Sequence, residues 1–230
     1  MYKEINIPEV LNPASISSLN AQLLECENQN VRFVVLKGSS SIFCNGLDLS
    51  WVANSEEADH HHDMKHYADF LKKLQCGKFI SIALVKGVVS GGGMGVVCAC
   101  DHVVADESST FSLPEGLLGL IPGMILPSLL NRLSPQLVKK MVFTGKKYSV
   151  SIAKEFGVVD EITNDQEKAL TDAINSMRSC KPDAVNDIKE IVYTSNANKD
   201  ELAVRGMNIL NKRLQEPDIK QRLKDISDFM

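Results

Sequence analysis

Apolar and polar positions change period several times along the chain, and the changes divide it into elements. Ser15 to Cys26 puts Ile16, Leu19, Leu23 and Leu24 on one side of a helix, with Asn12-Pro13 as its start signal. Residues 1–12 before it are short and partly strand-like. Arg32 to Lys37 centres on the unbroken run Phe33-Val34-Val35-Leu36, a buried strand. Residues 51–63 are polar and charged and read as a loop or a loose helix start. From Met64 to Leu74, apolar residues at 64, 67, 70, 71 and 74 form a helix face. Phe79–Val85 is a second buried strand, Gly91–Cys100 an apolar central helix, and His102–Ala105 and Thr110–Ser112 short strands.

Beyond Gly123 the pattern turns helical. Ile125–Leu133 comes first, then Ser134–Thr144 with Ser134-Pro135 as N-cap and first residue, then Ser149–Phe156 stopped by Gly157. Helices over 165–179, 182–195, 198–215 and 217 to the end follow. Strand–helix alternation succeeded by helices alone predicts an α/β core over 1–162 and a helical C-terminal region over 163–230.

Composition narrows the function classes. The 230 residues, 44% hydrophobic and 23% charged, suffice for one substantial core with a smaller appended layer. A net charge of −4 with no basic block argues against nucleic acid as the main partner. No apolar run reaches bilayer length, and Lys3 and Glu4 stand where a signal peptide would be apolar, so the expected location is the cytoplasm. The six cysteines, Cys26, Cys44, Cys76, Cys98, Cys100 and Cys180, include no Cys-x-x-Cys pair and are expected to be reduced thiols. The run His60-His61-His62 with His66 invites a metal reading, since His62 and His66 are one helical turn apart and Asp63 adjoins them. No further ligand spacing accompanies it, so a solvated loop and helix start is the expectation.

The candidate chemistry centres on Val85–Gly123. An apolar strand runs into Ser90-Gly91-Gly92-Gly93-Met94-Gly95 and then into the apolar helix. That order places the unpaired N–H groups of a helix start in a loop bare of side chains, where negative charge on a ligand is stabilised. One carboxylate, Glu115, follows Pro114. It reads either as a surface cap after the proline or, among Leu113, Leu117 and Leu118, as a buried group. Burial would raise its pKa toward neutrality and suit it to act as a base. Asp48 and Asp101 are expected to cap or brace backbone rather than react.

Two further segments complete a pattern: Phe43-Cys44-Asn45-Gly46-Leu47-Asp48-Leu49 upstream, and Thr144-Gly145 with Ala153–Asp160 downstream. With the glycine-rich stretch they resemble, in order and over about residues 33–162, the crotonase family of enoyl-CoA hydratases and isomerases. The resemblance implies a crotonase-like spiral of ββα units with a helical C-terminal layer. It implies an acyl-thioester substrate carrying coenzyme A or phosphopantetheine, no tightly bound cofactor and no metal. The C-terminal region would serve oligomerisation in a homotrimer or hexamer, an acyl carrier protein is a further partner, and neither nucleic acid nor membrane is one. It implies Leu47 and Gly92 as backbone N–H donors of an oxyanion hole and Glu115 as the catalytic group. Cys44, Asn45, Gly46, Asp48, Gly91, Gly93 and Gly95 would contact substrate, and one of the histidines would line the acyl pocket.

The sequence also departs from the family pattern. The position of the hydratases' other glutamate, two residues after the third glycine, is Gly95. This resembles the family's monofunctional Δ3,Δ2-enoyl-CoA isomerases, which carry an apolar residue there and a segment like Gly46-Leu47-Asp48-Leu49. The leading expectation is therefore a double-bond shift through an enolate, with Glu115 as proton shuttle. The alternatives are a hydratase or dehydratase working with Glu115 alone, an acyl-thioester decarboxylase, and a non-catalytic acyl-CoA-binding subunit. The acidic residue of dienoyl isomerases would align near Gly123 and is absent, Ser50 stands where some members place a lysine, and the N-terminal pair of strands is shortened.

Overall fold

The computed structural model describes the backbone of residues 2–54, 57–195 and 198–228, with side chains throughout these except at 57–61, 195, 227 and 228. The first half contains β1 (Tyr2–Asn6), α1 (Pro13–Asn28), β2 (Phe33–Lys37), β3 (Ile42–Cys44), α2 (Leu49–Asn54), α3 (Glu57–Cys76), β4 (Ile80–Val85) and β5 (Val88–Ser90). Next come α4 (Gly92–Ala99), β6 (His102–Asp106), β7 (Thr110–Ser112), a 3-10 turn (Glu115–Leu118), α5 (Leu126–Arg132) and α6 (Pro135–Thr144). The rest is β8 (Tyr148–Ser149), α7 (Val150–Glu155), β9 (Glu161–Thr163), α8 (Gln166–Met177), α9 (Pro182–Ser195), α10 (Lys199–Leu214) and α11 (Pro217–Asp228).

The strands form two sheets. One has five parallel strands in the order β1-β2-β4-β6-β9, and the other has the order β3-β5-β7-β8 with only the β7–β8 pair antiparallel. Parallel strands covered on both faces need continuous apolar runs. Phe33–Leu36 supplies one, and its alternation divides the core: Val34 and Leu36 face the main cluster, while Phe33 and Val35 face outward. That outward face, with Ile82, Leu84 and Val104, is covered by Ala169, Leu170 and Ala173 of α8. Three successive circuits, β2–β3, β4–β5 and β6–β7, thus contribute one strand to each sheet ahead of a helix, which is the expected α/β spiral of ββα units, with helices at the C-terminal end.

The helix face read from Met64 to Leu74 is buried at all five positions. On α1 the face is shifted: Ile16, Leu19, Leu23 and Cys26 are buried, while Leu24 is half exposed. Residues 49–54 are helical, and α3 starts well before Met64, so most of the stretch read as a loop is helix. The N-terminal segment gives one strand, β1, on the edge of the larger sheet beside β2.

The last two helices return over the body. Met207, Leu210 and Leu214 of α10 and Ile219 and Leu223 of α11 belong to the main core. Gly206 of α10 meets Gly123 backbone to backbone: a Cβ on Gly206 would lie 2.7 Å from the carbonyl carbon of Gly123. The Arg222 guanidinium donates to the Leu117 carbonyl at 3.3 Å and ties α11 to the 3-10 turn. All six cysteines are free thiols. Among the described residues no helix is long and apolar enough to cross a membrane.

Candidate active site

Three chain segments meet where β3, β5 and β7 end. The first is the crossing at Leu47. It forms a parallel bridge with Leu11, in which the Leu11 N–H donates to the Gly46 carbonyl at 2.7 Å and the Asp48 N–H donates to the Leu11 carbonyl at 2.9 Å. In such a bridge the N–H of the middle residue points to the opposite side. For Leu47 that side is the start of α4, where a Cβ on Gly92 would lie 3.5 Å from the Leu47 nitrogen.

The second segment is the glycine run. Gly91 caps α4 with φ 52° and ψ −122°, and its N–H donates to the Ser112 carbonyl at 3.2 Å. A positive φ of this kind is the conformation glycine adopts without penalty. Gly92 is the first helical residue, where the backbone N–H has no partner within the helix. Gly46, at φ 93°, leaves no space for a Cβ, which would come 2.6 Å from the Gly92 nitrogen. The N–H groups of Leu47 and Gly92 are therefore adjacent, and both residues line one cavity of about 190 Å³.

The third segment is the 3-10 turn that carries Glu115. A Cβ on Gly91 would lie 3.6 Å from Glu115 Oε1, which puts the carboxyl group beside the glycine run. Glu115 Oε2 is sealed from solvent and accepts no hydrogen bond from the described residues. Burial raises the carboxyl from its ordinary 4.5 to about 7, against a smaller opposing effect of the residue's own backbone N–H. Of its expected apolar neighbours, Leu113 is buried, Leu118 lines the cavity, and Leu117 turns outward. The remaining wall is largely apolar, with Met64, Leu120, Met124, Ile125, Leu210 and Leu214 among it.

Of the other residues marked in the sequence, Asn45, Asp48 and Gly91 line the cavity, as does Ser50. Asp48 also caps α2, since its Oδ1 accepts from the N–H groups of Ser50 at 2.9 Å and Trp51 at 3.2 Å. Cys44, Gly46, Gly93 and Gly95 stand behind the wall, outside the cavity lining. Burial pushes the Cys44 thiol up to about 12, and its Sγ accepts from the Gly46 N–H at 3.4 Å. A Cβ on Gly93 would come 2.9 Å from the Cys44 carbonyl carbon, so this glycine serves close packing. At Gly95 a Cβ would overlap the Ile125 side chain, 2.7 Å from its Cβ, and lie 3.2 Å from the Tyr67 hydroxyl. Asp101 braces the core: its Oδ2 accepts from the Ser81 N–H at 2.7 Å and from Lys189 Nζ at 2.7 Å. His62 and His66 have ring centroids 4.3 Å apart, and no group of three or more His, Cys, Asp or Glu able to hold a metal occurs among the described residues. The side chains of His60 and His61 lie outside the described residues.

Sequence reasoning missed the hydroxyl of Tyr67. It donates to the Gly92 carbonyl at 2.5 Å from a fully buried ring on α3. The available signal was a tyrosine on an otherwise apolar helix face, where the O–H must find a partner.

A pocket that joins two convergent backbone donors to one poised carboxyl can stabilise an enolate while moving a proton. The family model for enoyl-CoA hydratase/isomerase matches residues 4–225. The chain is 30% identical over 184 residues to the bacillaene synthase dehydratase PksH of Bacillus subtilis, covering 79% of this chain and 71% of that protein. It is 30% identical over 164 residues to the carnitinyl-CoA dehydratase of Salmonella typhimurium, covering 69% of this chain and only 61% of that protein. The crystal structure of Bacillus subtilis PksH superposes with a TM-score of 0.86 at 24% identity, over 97% of this chain and 93% of that one. An enoyl-CoA hydratase from Mycobacterium avium gives 0.87 at 22% identity, over 99% and 91%.

Proposed function

The chain belongs to the enoyl-CoA hydratase/isomerase family, and on that premise we propose that it is an acyl-thioester lyase, which adds water to an enoyl thioester or removes it from a 3-hydroxyacyl thioester. The observation that carries the reading is the shared cavity of the Leu47 and Gly92 N–H groups and the buried Glu115 carboxyl. In the direction of dehydration, ionised Glu115 takes the proton next to the thioester carbonyl. The electron pair moves onto the thioester oxygen, where the two N–H groups hold it. The pair then returns to form the carbon–carbon double bond as the 3-hydroxyl leaves, and Glu115 gives it the same proton, releasing water. A carboxyl near pH 7 suits both halves of this exchange, since it is neither too strong an acid to accept the proton nor too weak to return it. The dehydratase names of the relatives at 30% identity support this direction over the isomerisation that the sequence pattern alone favours.

Isomerisation remains the second reading, on a specific observation. The place of the hydratases' other glutamate is Gly95, and the volume beyond it is filled by Ile125. A double-bond shift needs only Glu115, which would move one proton between two carbons of the acyl chain.

The substrate carrier is coenzyme A or a phosphopantetheine arm on an acyl carrier protein, and we propose a homotrimer, or a pair of trimers, built on the C-terminal helices. The deciding experiment presents 3-hydroxybutyryl and 3-butenoyl thioesters, each on both carriers, and follows the absorbance of the conjugated product. Turnover of the hydroxyacyl substrate alone supports the lyase. Turnover of the 3-enoyl substrate alone would move the assignment to isomerase, and turnover of neither would leave a binding protein.

A further inference from the structure

Gly91, Gly92 and Gly93 follow one another where the chain enters α4, with no side chains of their own to brace them, and the oxyanion donor sits in their middle. A donor that wanders must be reordered in each turnover, whereas one held in place costs no reorganisation at the moment of reaction. From the structure we infer that Tyr67 is a positioning residue: its hydroxyl, bonded to the Gly92 carbonyl, anchors the Gly92–Gly93 peptide and so holds residue 92 in the conformation that presents its N–H, on the preceding peptide, to the thioester oxygen. This inference rests on the oxyanion role proposed above for Gly92.

Three features support it. The phenol is built into the core, since its ring stacks on Phe70 with centroids 6.4 Å apart and the residue is wholly buried. It does not line the cavity, so it makes no direct contact with a substrate held there. Burial raises its pKa well above the ordinary value, so the group remains a donor over the whole pH range in which Glu115 titrates.

The same geometry explains Gly95. A side chain there would press on the Tyr67 hydroxyl and on Ile125 together. In this chain a bare residue 95 is what lets the tyrosine reach the glycine run. The space that a side chain on residue 95 would take is here filled by Ile125 and bordered by the Tyr67 hydroxyl.

The test is Tyr67→Phe, which deletes one oxygen from a buried ring, read beside Phe70→Leu, which loosens the same packing and leaves the hydroxyl. Two readouts are taken. The first is steady-state kinetics: Tyr67→Phe should lower kcat by roughly tenfold to a hundredfold, less than the loss of a whole oxyanion donor, with KM nearly constant. The second needs no turnover. Saturated butyryl-CoA with a 13C-labelled thioester carbonyl is bound and its infrared stretch recorded. The native protein should shift that stretch to lower frequency, Tyr67→Phe should recover most of the shift, and Phe70→Leu should keep it while lowering Tm. Native-like kcat and an unaltered shift in Tyr67→Phe would overturn the inference and leave the proposed activity standing. A native protein that binds butyryl-CoA without any shift would overturn both.

Discussion

Ile125 fills the volume that a side chain on Gly95 would need. The overlap involves the branched end and the Cβ of Ile125, which the start of α5 holds in place, so no rotation of a flexible tip relieves it. Gly95→Glu is thus expected to bury an unpaired carboxylate in an overfilled site and to cost roughly 3–5 kcal/mol. Denaturant unfolding measures this, and Gly95→Ala should show the same sign at smaller size. No hydration activity should be gained. A stable Gly95→Glu variant that hydrated crotonyl-CoA faster than native would show that Ile125 yields after all.

Glu115→Gln keeps the shape of the buried group and removes its proton chemistry. Turnover should fall by about two to four orders of magnitude while acyl-CoA affinity, read by calorimetry, stays within a few-fold. Near-native turnover would remove Glu115 from the reaction.

The same variant should be more stable than native, in a pH-dependent way. In the unfolded chain the Glu115 carboxyl ionises near its ordinary 4.5, whereas in the fold it holds its proton to about 7. Below 4.5 the group is neutral in both states and affects nothing. As pH rises from 4.5 to 7, the unfolded state alone gains from ionisation, so native stability falls, and above 7 the loss is complete. The residue is half-buried as a whole, so the loss is set at about 2–3 kcal/mol. The stability gap between Glu115→Gln and native should be near zero at pH 4 and widest at pH 8. A gap that does not change with pH would place Glu115 in solvent.

The donor at Gly92 is best isolated by a pair of variants. Gly92→Ala adds a Cβ at 3.2 Å from the Gly46 Cα and keeps the N–H, while Gly92→Pro adds the same carbon and deletes it. Alanine should cost part of kcat, because its Cβ also comes 3.4 Å from the Tyr67 hydroxyl, and proline at least about a hundredfold beyond alanine. Leu47→Ala, which keeps its N–H, should resemble Gly92→Ala. Equal losses for the alanine and proline variants would mean that packing, and not the donor, sets the rate.

Much of this was legible in the chain before folding. Buried parallel strands announce themselves through runs such as Phe33–Leu36, and the Met64–Leu74 face survives intact because its spacing allows no other partner than the core. The glycine run and Glu115 were found by pattern and type. Leu24 is exposed because it lies about 100° around the helix from Leu23, off the stripe of Ile16, Leu19 and Leu23 that Cys26 continues. The role of Gly95 was hidden for a different reason. Nothing local to residue 95 says that Ile125, thirty positions later, will fold against it. The hydroxyl of Tyr67 was read only as part of an apolar face, since its partner is a backbone carbonyl that sequence does not display.

The backbone meeting of Gly123 and Gly206 has an evolutionary corollary. Helix α10 meets the body through main-chain atoms at one point, and Leu210 and Leu214, one and two turns further along, line the cavity beside Glu115. Leu210 and Leu214 thus serve twice, as core residues that seat α10 and as part of the cavity wall. A change at 210 or 214 that reshapes the cavity therefore also disturbs the seating of the helix, while a side chain at 123 or 206 has no room at all. Cavity shape and α10 packing are thus coupled under substitution, and neither drifts far alone.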